Sequence, residues 1–201
     1  MEQSKRKEQI ADAAIGLIAK LGYAQASVGR IADAAGVSKG VFTYHFASKD
    51  ELMEHIVRGV HEKAARFMRR IGTESTPGRM LGAYIETNCA FIAAHREEIA
   101  ALSDIVTSAR TPEGALRYGE PSGDPMLEPL VDILRRGEAA GEFKRFTPRS
   151  VRATAAALRS AIDGAARRLA AEPDFDIAGY AEDLADLFLS AVRKPGNGGS
   201  R

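Results

Sequence analysis

The sequence contains a single cysteine, no tryptophan and no long apolar run. Because Cys89 has no second cysteine to pair with, an intrachain disulfide framework and a cysteine-based zinc finger are both excluded, and we expect a reducing, cytoplasmic environment. No apolar stretch approaches the roughly 18–20 residues that a membrane-spanning helix needs. The N-terminus also lacks the apolar core and cleavage site of a secretory signal.

A strong excess of charge of one sign is also missing, since 28 Lys and Arg residues accompany 27 Asp and Glu residues among 201. This balance excludes a uniformly basic protein that coats nucleic acid. The charge is nevertheless uneven, because residues 1–70 carry 12 basic and 8 acidic side chains and the remainder is acidic. A basic first part is typical of a nucleic-acid-binding head on a different kind of body.

Apolar residues recur at helical spacing along most of the chain, and no segment has a convincing strand pattern. We predict an all-α protein in which a three-helix head is joined by a linking helix to a larger helical domain. The predicted parts are a DNA-binding head at 1–50, a linking helix at about 48–71, an effector-binding and dimerisation domain at 72–193 and a flexible tail at 194–201.

Capping residues predict where the helices begin. Ser27, Ser38 and Ser48 precede the short N-terminal helices, and Asp176 precedes the last helix. Thr76 and Thr147 are each followed by proline, which favours the first helical position. The predicted helices span residues 4–21, 28–35, 39–45, 48–70, 77–94, 95–108, 125 or 129 to 141, 148–171 and 177–193.

Two of the short helices flank a tight turn at Gly36, and this arrangement is typical of a helix-turn-helix. Ile31, Ala32 and Phe42 lie on the facing sides, where the small Ala32 allows the helices to cross closely. Lys39 and Thr43 face away from this apolar core. A short helix presented in this way can enter the major groove, where base edges are distinguishable.

This segment resembles the DNA-binding domain of the tetracycline-repressor (TetR) family over residues 4–60. The resemblance rests on three groups of residues: Ile10, Ala13-Ala14 and Gly22-Tyr23; Ile31-Ala32-Asp33-Ala34-Ala35-Gly36-Val37-Ser38-Lys39-Gly40; and Phe42, Tyr44-His45-Phe46 and Ser48-Lys49-Asp50-Glu51-Leu52. It implies a homodimeric, ligand-responsive regulator of transcription, expected to be a repressor that leaves a palindromic operator when a small effector binds.

The resemblance implies base contacts by Lys39, Gly40 and Thr43, and contacts to the DNA backbone by other residues of the head. Gly29 departs from the family, since many members place a base-reading side chain there, and Arg30 is a candidate to replace it. Val41 and Thr43 also depart from the usual residue types. The implied DNA-binding residues are Ser27, Arg30, Lys39, Gly40, Val41, Thr43, Tyr44, His45 and Lys49.

The last two helices each carry an apolar stripe, and two such helices from each subunit can form a four-helix bundle. In the family arrangement this bundle is the dimer interface, which spaces the two heads along the DNA. The predicted interface residues are Val151, Ala155, Leu158, Ile162, Ala166, Leu169, Ile177, Ala181, Leu184, Phe188 and Val192.

The middle helices are then expected to enclose a small, largely apolar effector. An inward-facing carboxylate of Asp104, Asp132 or Asp163 would favour a cationic effector. The predicted effector-binding residues are Met80, Tyr84, Asn88, Cys89, Phe91, Ile92, Leu102, Ile105, Val106, Tyr118, Met126, Leu130 and Ile133.

Two alternatives stay open at this stage. The first is a small helical enzyme or ligand carrier that uses the 72–193 region, and the second is a DNA-binding protein without an effector. The enzyme has little support, because the sequence contains no glycine-rich phosphate loop and no nucleophile elbow. Glu51 and His55 share a helix face but lack further metal ligands. We therefore predict no catalytic residues, no metal and no cofactor.

Overall fold

A computed structural model describes residues 2–68, 71, 74–118 and 127–194. Over these residues the fold is helical throughout, without a strand, which confirms the predicted all-α class. No helix in the described ranges is long and apolar enough to cross a membrane. The helices are α1 (Glu2–Leu21), α2 (Val28–Ala34), α3 (Lys39–His45), α4 (Lys49–Phe67), α5 (Pro77–Ala94), α6 (Arg96–Ser108), α7 (Glu128–Ala139), α8 (Pro148–Ala171) and α9 (Ile177–Val192).

The predicted helix starts are confirmed by side-chain caps. The Ser27 hydroxyl accepts the backbone N–H of Arg30 at the start of α2, and Thr147 and Ser150 form a reciprocal capping box at the start of α8. Such bonds satisfy N–H groups that have no partner inside the helix. Ser38, Ser48, Thr76 and Asp176 cap α3, α4, α5 and α9 in the same way.

The N-terminal unit consists of the described residues within 1–64 and 95–119. Helices α1, α2 and α3 form its centre, where Ile10, Ile31 and Phe42 are completely buried. Helix α6 packs on α1 and on a short 3-10 helix at Tyr23–Gln25. Residues 95–118, which were predicted to belong to the effector-binding domain, thus pack with the head.

The C-terminal unit consists of the described residues within 65–94 and 120–201. Helix α5 is its central element and packs against α7, α8 and α9. Its core includes Leu81, Ile85 and Ile162, none of which is accessible to solvent. Gly137 on α7 leaves room for the Phe143 ring, because a Cβ at Gly137 would lie only 1.9 Å from the ring.

Helix α5 begins at Pro77, as Thr76-Pro77 predicts, and Gly78 belongs to its first turn. Residues 111–118, the described part of the segment that follows α6, contain no helix, and Arg110 and Leu116 form an isolated β-bridge there. The predicted end of the linking helix at residue 70 and most of the predicted tail lie outside the described residues.

Candidate nucleic-acid interface

The turn between α2 and α3 is fixed by backbone geometry and two hydrogen bonds. Gly36 has a φ of 65°, a conformation that costs glycine little because it has no Cβ. The Val37 N–H donates to the Ala32 carbonyl at 2.9 Å, and the Val41 N–H donates to the Ser38 hydroxyl at 3.2 Å. The chain therefore leaves α2 and begins α3 within a few residues.

Apolar contacts determine which face of α3 points outward. Phe42 and Phe46 are buried against the head, with their ring centroids 6.0 Å apart. The opposite face is accessible to solvent, as predicted, and Tyr44 is 70% exposed. The residues exposed on this outer surface of α3 are Lys39, Gly40, Val41, Thr43 and Tyr44.

The polar side chains of α3 differ in the hydrogen-bonding groups that they present. The Thr43 hydroxyl donates back to the carbonyl oxygens of Lys39 and Gly40, at 3.1 and 3.0 Å. The Tyr44 hydroxyl accepts a hydrogen bond of 2.7 Å from Gln3 Nε2 of α1. His45 is half-buried and makes an edge contact with the Tyr44 ring.

The first turn of α1 belongs to the same surface as α3. Gln3 and Arg6 line a shallow groove together with Gly40, Val41 and Tyr44. Gln3 and Arg6 are not predictable as part of this site from the sequence, because their neighbours in the groove are more than thirty residues away in the chain. Only the basic charge of the first residues could have pointed to them.

Ser27 and Arg30 lie at the start of α2, and both are exposed. The Arg30 guanidinium donates to the backbone carbonyl and to the side chain of Gln25, at 3.2 and 3.0 Å. Arg30 is thereby held against the preceding 3-10 helix. The space beside Gly29 is occupied instead by the end of the Lys39 side chain.

Lys49 is half-buried and directed into the head. Its ammonium donates to the Tyr23 carbonyl at 2.7 Å and lies 3.7 Å from the centroid of the Tyr23 ring. Burial lowers the pKa of Lys49, although the nearby Asp50 and Asp104 carboxylates act in the opposite direction. This position differs from the solvent-directed one that the predicted phosphate contact requires.

The predicted effector-binding residues are divided between the two units. Leu102, Ile105, Val106 and Tyr118 belong to the N-terminal unit, and Met126 lies outside the described residues. In the C-terminal unit Met80 is half-buried, and the others are buried side chains of α5 and α7: Tyr84, Asn88, Cys89, Phe91, Ile92, Leu130 and Ile133.

A polar cluster interrupts the apolar interior of the C-terminal unit. Asn88 donates to the Tyr84 carbonyl at 2.8 Å and accepts from the Arg159 guanidinium at 3.1 Å. Arg159 also forms an ion pair with Asp163 one turn further along α8. Burial, the largest single influence, lowers the pKa of Arg159, but the hydrogen bonds and charge interactions with Asp163 and Tyr84 together raise it above its ordinary value.

A cationic effector was expected only if one of three carboxylates faces inward, and none of them does so without a partner. Asp163 is paired with Arg159. Asp104 accepts the Tyr23 N–H and the Ser108 hydroxyl, at 2.5 and 2.7 Å. Asp132 is exposed on α7. Each of these carboxylates is therefore either paired or exposed, and they give no support to a cationic effector.

The predicted dimer residues are mostly inside the single chain. Only Ala166 and Phe188 are partly accessible, and the other members of that set on α8 and α9 are buried. The apolar stripes were assigned to a second subunit, but in this structure they pack within the protomer. The exposed residues of α8 and α9 lie on other faces of these helices, where Leu187 is 63% exposed.

Comparisons with known proteins agree with the geometry of the head. Residues 10–56 match the family described as bacterial regulatory proteins, tetR family. The HTH-type transcriptional regulator BetI of Cronobacter sakazakii is 30% identical over 170 residues, which cover 81% of this chain and 78% of that protein. The HTH-type transcriptional repressor KstR2 of Mycobacterium tuberculosis is 24% identical over 142 residues, 70% of each chain.

Solved structures of similar fold match more than nine-tenths of the chain. The ketosteroid transcriptional regulator KstR2 of Mycobacterium tuberculosis has a TM-score of 0.75 at 21% identity and covers 94% of this chain and 95% of its own. The transcriptional regulator FadR from Bacillus subtilis, in complex with stearoyl-CoA, has a TM-score of 0.76 at 22% identity. It covers 92% of this chain and 99% of its own. At these identities the likeness establishes the fold.

Proposed function

Since the chain belongs to the TetR family of bacterial regulatory proteins, we propose that it is a homodimeric repressor released from a palindromic operator by a small, largely apolar effector. The family membership itself makes the chain a DNA-binding regulator of transcription with a helix-turn-helix, and not an enzyme. The alternative of a small helical enzyme is therefore set aside.

The observation that carries the proposal is the outward face of α3. Lys39, Gly40 and Thr43 lie on that face, while Phe42 and Phe46 anchor the helix from behind. A lysine can donate to guanine O6 and N7 in the major groove, and an exposed glycine permits close approach of the backbone. These three residues are the proposed base contacts.

The residues around α3 are the proposed contacts to the DNA backbone. These contacts are Val41, Tyr44 and His45 of α3 and Ser27 at the start of α2, while Arg30 of α2 stays a candidate for base contact in place of Gly29. Contacts to phosphate provide much of the affinity but no direct sequence information. We leave Lys49 out of the phosphate contacts, because its ammonium is bonded to Tyr23.

One head offers few base contacts, so a second copy is needed for specific binding. We propose that the exposed faces of α8 and α9 form the interface between copies. The exposed face of α9 carries Asp183 and Asp186 beside Leu187, while α8 exposes Arg167. These opposite charges support pairing of α8 from one copy with α9 from the other.

The effector is proposed to bind among the buried residues of α5 and α7 in the C-terminal unit. The apolar character of these residues supports a largely apolar ligand, as does the apolar acyl chain of the stearoyl-CoA in the similar FadR structure. The effector must bind the DNA-incompetent form better, and a 100-fold preference shifts the equilibrium by about 2.7 kcal/mol. KstR2, a ketosteroid regulator by its description, suggests steroids as a second apolar class to test.

Lys39→Ala tests the DNA-binding surface directly. Fluorescence anisotropy with labelled duplex from the protein's own promoter region would measure affinity for specific and unrelated DNA. We expect specific binding to weaken by about 1–3 kcal/mol. Lys20→Ala is the matched control, because Lys20 is an exposed lysine at the opposite end of α1 from Gln3. Equal affinities for Lys39→Ala and wild type would refute the assignment of α3.

The same assay tests the effector. Stearoyl-CoA, a steroid and the lipophilic cation tetraphenylphosphonium are added separately to the complex with DNA. Release by the steroid or by stearoyl-CoA, through its apolar acyl chain, but not by the cation supports the proposed effector class. Release by tetraphenylphosphonium alone would contradict it, and a complex that resists every probe while binding none of them would favour a regulator without an effector.

A further inference from the structure

Gly29 and Lys39 occupy adjoining positions at the starts of α2 and α3. A Cβ built on Gly29 would lie 3.3 Å from Lys39 Cε and 3.7 Å from Lys39 Nζ. The Lys39 side chain therefore extends from α3 across the first turn of α2. The Ser27 hydroxyl lies within 4.0 Å of the same point, so the ammonium ends beside the cap of α2.

The position of Lys39 depends on the absence of a side chain at Gly29. A methyl group at 3.3 Å already requires the end of Lys39 to move by a few tenths of an ångström. A larger side chain would fill the space and force the lysine into another rotamer. Lys39 is exposed and, within the described part of the chain, forms no ion pair that would hold it in place.

We propose that Gly29 is a specificity-determining residue that acts through Lys39. It leaves the surface of α2 open, so that the base-reading group at this point comes from α3. This inference rests on the proposed function, because it requires Lys39 to contact bases. A side chain at position 29 would change where the ammonium reaches the base edges, and hence which base pair is preferred.

The geometry requires Gly29 and Lys39 to act as a pair. Substitutions at independent sites have additive effects, whereas residues in direct contact show coupling. Gly29→Leu displaces the lysine with an apolar group that cannot itself hydrogen-bond to a base. Gly29→Ala is a milder change, and alanine has a higher helix propensity than glycine, so neither folding nor the cap of α2 should suffer.

The experiment begins with selection of bound duplexes from a random library by the full-length wild-type protein. Dissociation constants are then measured at one salt concentration for the selected duplex and its single-base variants. The proteins compared are wild type, Gly29→Ala, Gly29→Leu, Lys39→Ala and the double variant Gly29→Leu/Lys39→Ala. Gly59→Ala is the control, because a Cβ at Gly59 of α4 would have no neighbour within 4 Å.

At the base pair that Lys39→Ala also affects, we expect Gly29→Leu to change the ratio of affinities for the selected duplex and its single-base variant about tenfold. Gly29→Ala should change this ratio less. In the Lys39→Ala background, Gly29→Leu should change the ratio no further, and Gly59→Ala should leave it unaltered. Equal shifts by Gly29→Leu in both backgrounds, or no shift at all, would overturn the coupling. A wild-type protein that selects no sequence would overturn the proposed function and this inference together.

Discussion

Gln3 of α1 donates a hydrogen bond from Nε2 to the Tyr44 hydroxyl of α3 at 2.7 Å. Because the amide nitrogen is the donor, the hydroxyl oxygen is the acceptor and its own proton stays available. A tyrosine hydroxyl in this state can donate to a phosphate oxygen. Gln3 thus orients a group on the exposed surface of α3 without itself needing to touch DNA.

Replacing Gln3 should weaken DNA binding only while the Tyr44 hydroxyl is present. We expect Gln3→Ala to reduce affinity by about 0.5–1 kcal/mol, the value of one exposed hydrogen bond. In a Tyr44→Phe background the same change should have no effect, and fluorescence anisotropy measures both. An equal loss in the two backgrounds would mean that Gln3 acts independently of Tyr44.

Lys49 is expected to stabilise the head without contributing to the salt dependence of DNA binding. Its ammonium is bonded to the Tyr23 carbonyl and lies over the Tyr23 ring. Lys49→Met keeps most of the aliphatic chain but removes both interactions, so we expect a lower midpoint in urea denaturation. The slope of log affinity against log salt should stay at the wild-type value, since no phosphate contact is lost. A slope reduced by about one unit would show that Lys49 binds phosphate after all.

Leu187 should be necessary for assembly if α8 and α9 form the interface between copies. A carboxylate at this exposed position would place a charge in the centre of the contact, where desolvating it is costly. We expect Leu187→Asp to shift the protein from dimer to monomer in sedimentation velocity and to weaken operator binding. Leu116→Asp is the control, because Leu116 is also exposed but belongs to the N-terminal unit. Unchanged sedimentation of Leu187→Asp would exclude this face.

The Cys89 thiol should be unreactive in the folded protein. It is 1% exposed on α5, and burial raises its pKa from 9.0 to about 11, against the effect of the Arg159 charge. Labelling with a disulfide reagent at pH 8 should therefore follow unfolding. An exposed cysteine, Ser103→Cys in a Cys89→Ala background, should label at once. Rapid labelling of Cys89 in the native protein would contradict its burial.

The same pKa shift predicts how Cys89 affects stability. A thiol whose pKa is raised on folding favours the folded state below pH 9.0, and this contribution is lost as the pH rises towards about 11. The free energy of unfolding of the wild type should thus decline over this range more steeply than that of Cys89→Ala. Parallel declines in urea titrations at several pH values would show that the thiol is accessible to solvent.

The helices could be predicted closely from the sequence because their end signals are local. Ser27, Ser38 and Asp176 each cap the backbone three residues ahead, so spacing alone identifies the start of a helix. The helix-turn-helix was predictable for a related reason. Gly36 permits the turn, and the apolar positions that face each other lie within about 15 residues.

What could not be predicted is which surface covers an apolar stripe. The periodicity of α8 is the same whether Leu158 and Ile162 pack on α5 of their own chain or on a second copy. The family resemblance favoured the second copy, and the structure buries both residues within the protomer. The contacts of Lys49 with Tyr23, and of Lys39 with Gly29, likewise depend on tertiary packing that no local pattern encodes.

The back-bonded hydroxyl of Thr43 has a consequence for chemically modified DNA. Because its hydroxyl proton is donated to the carbonyls of its own helix, Thr43 has no free hydrogen-bond donor for a base, and its methyl is the apolar group that it can present. Such a group recognises the C5-methyl of thymine by apolar contact. Cytosine methylated at C5 presents the same methyl in the same groove, so a regulator that reads DNA in this way would respond to methylation of its operator.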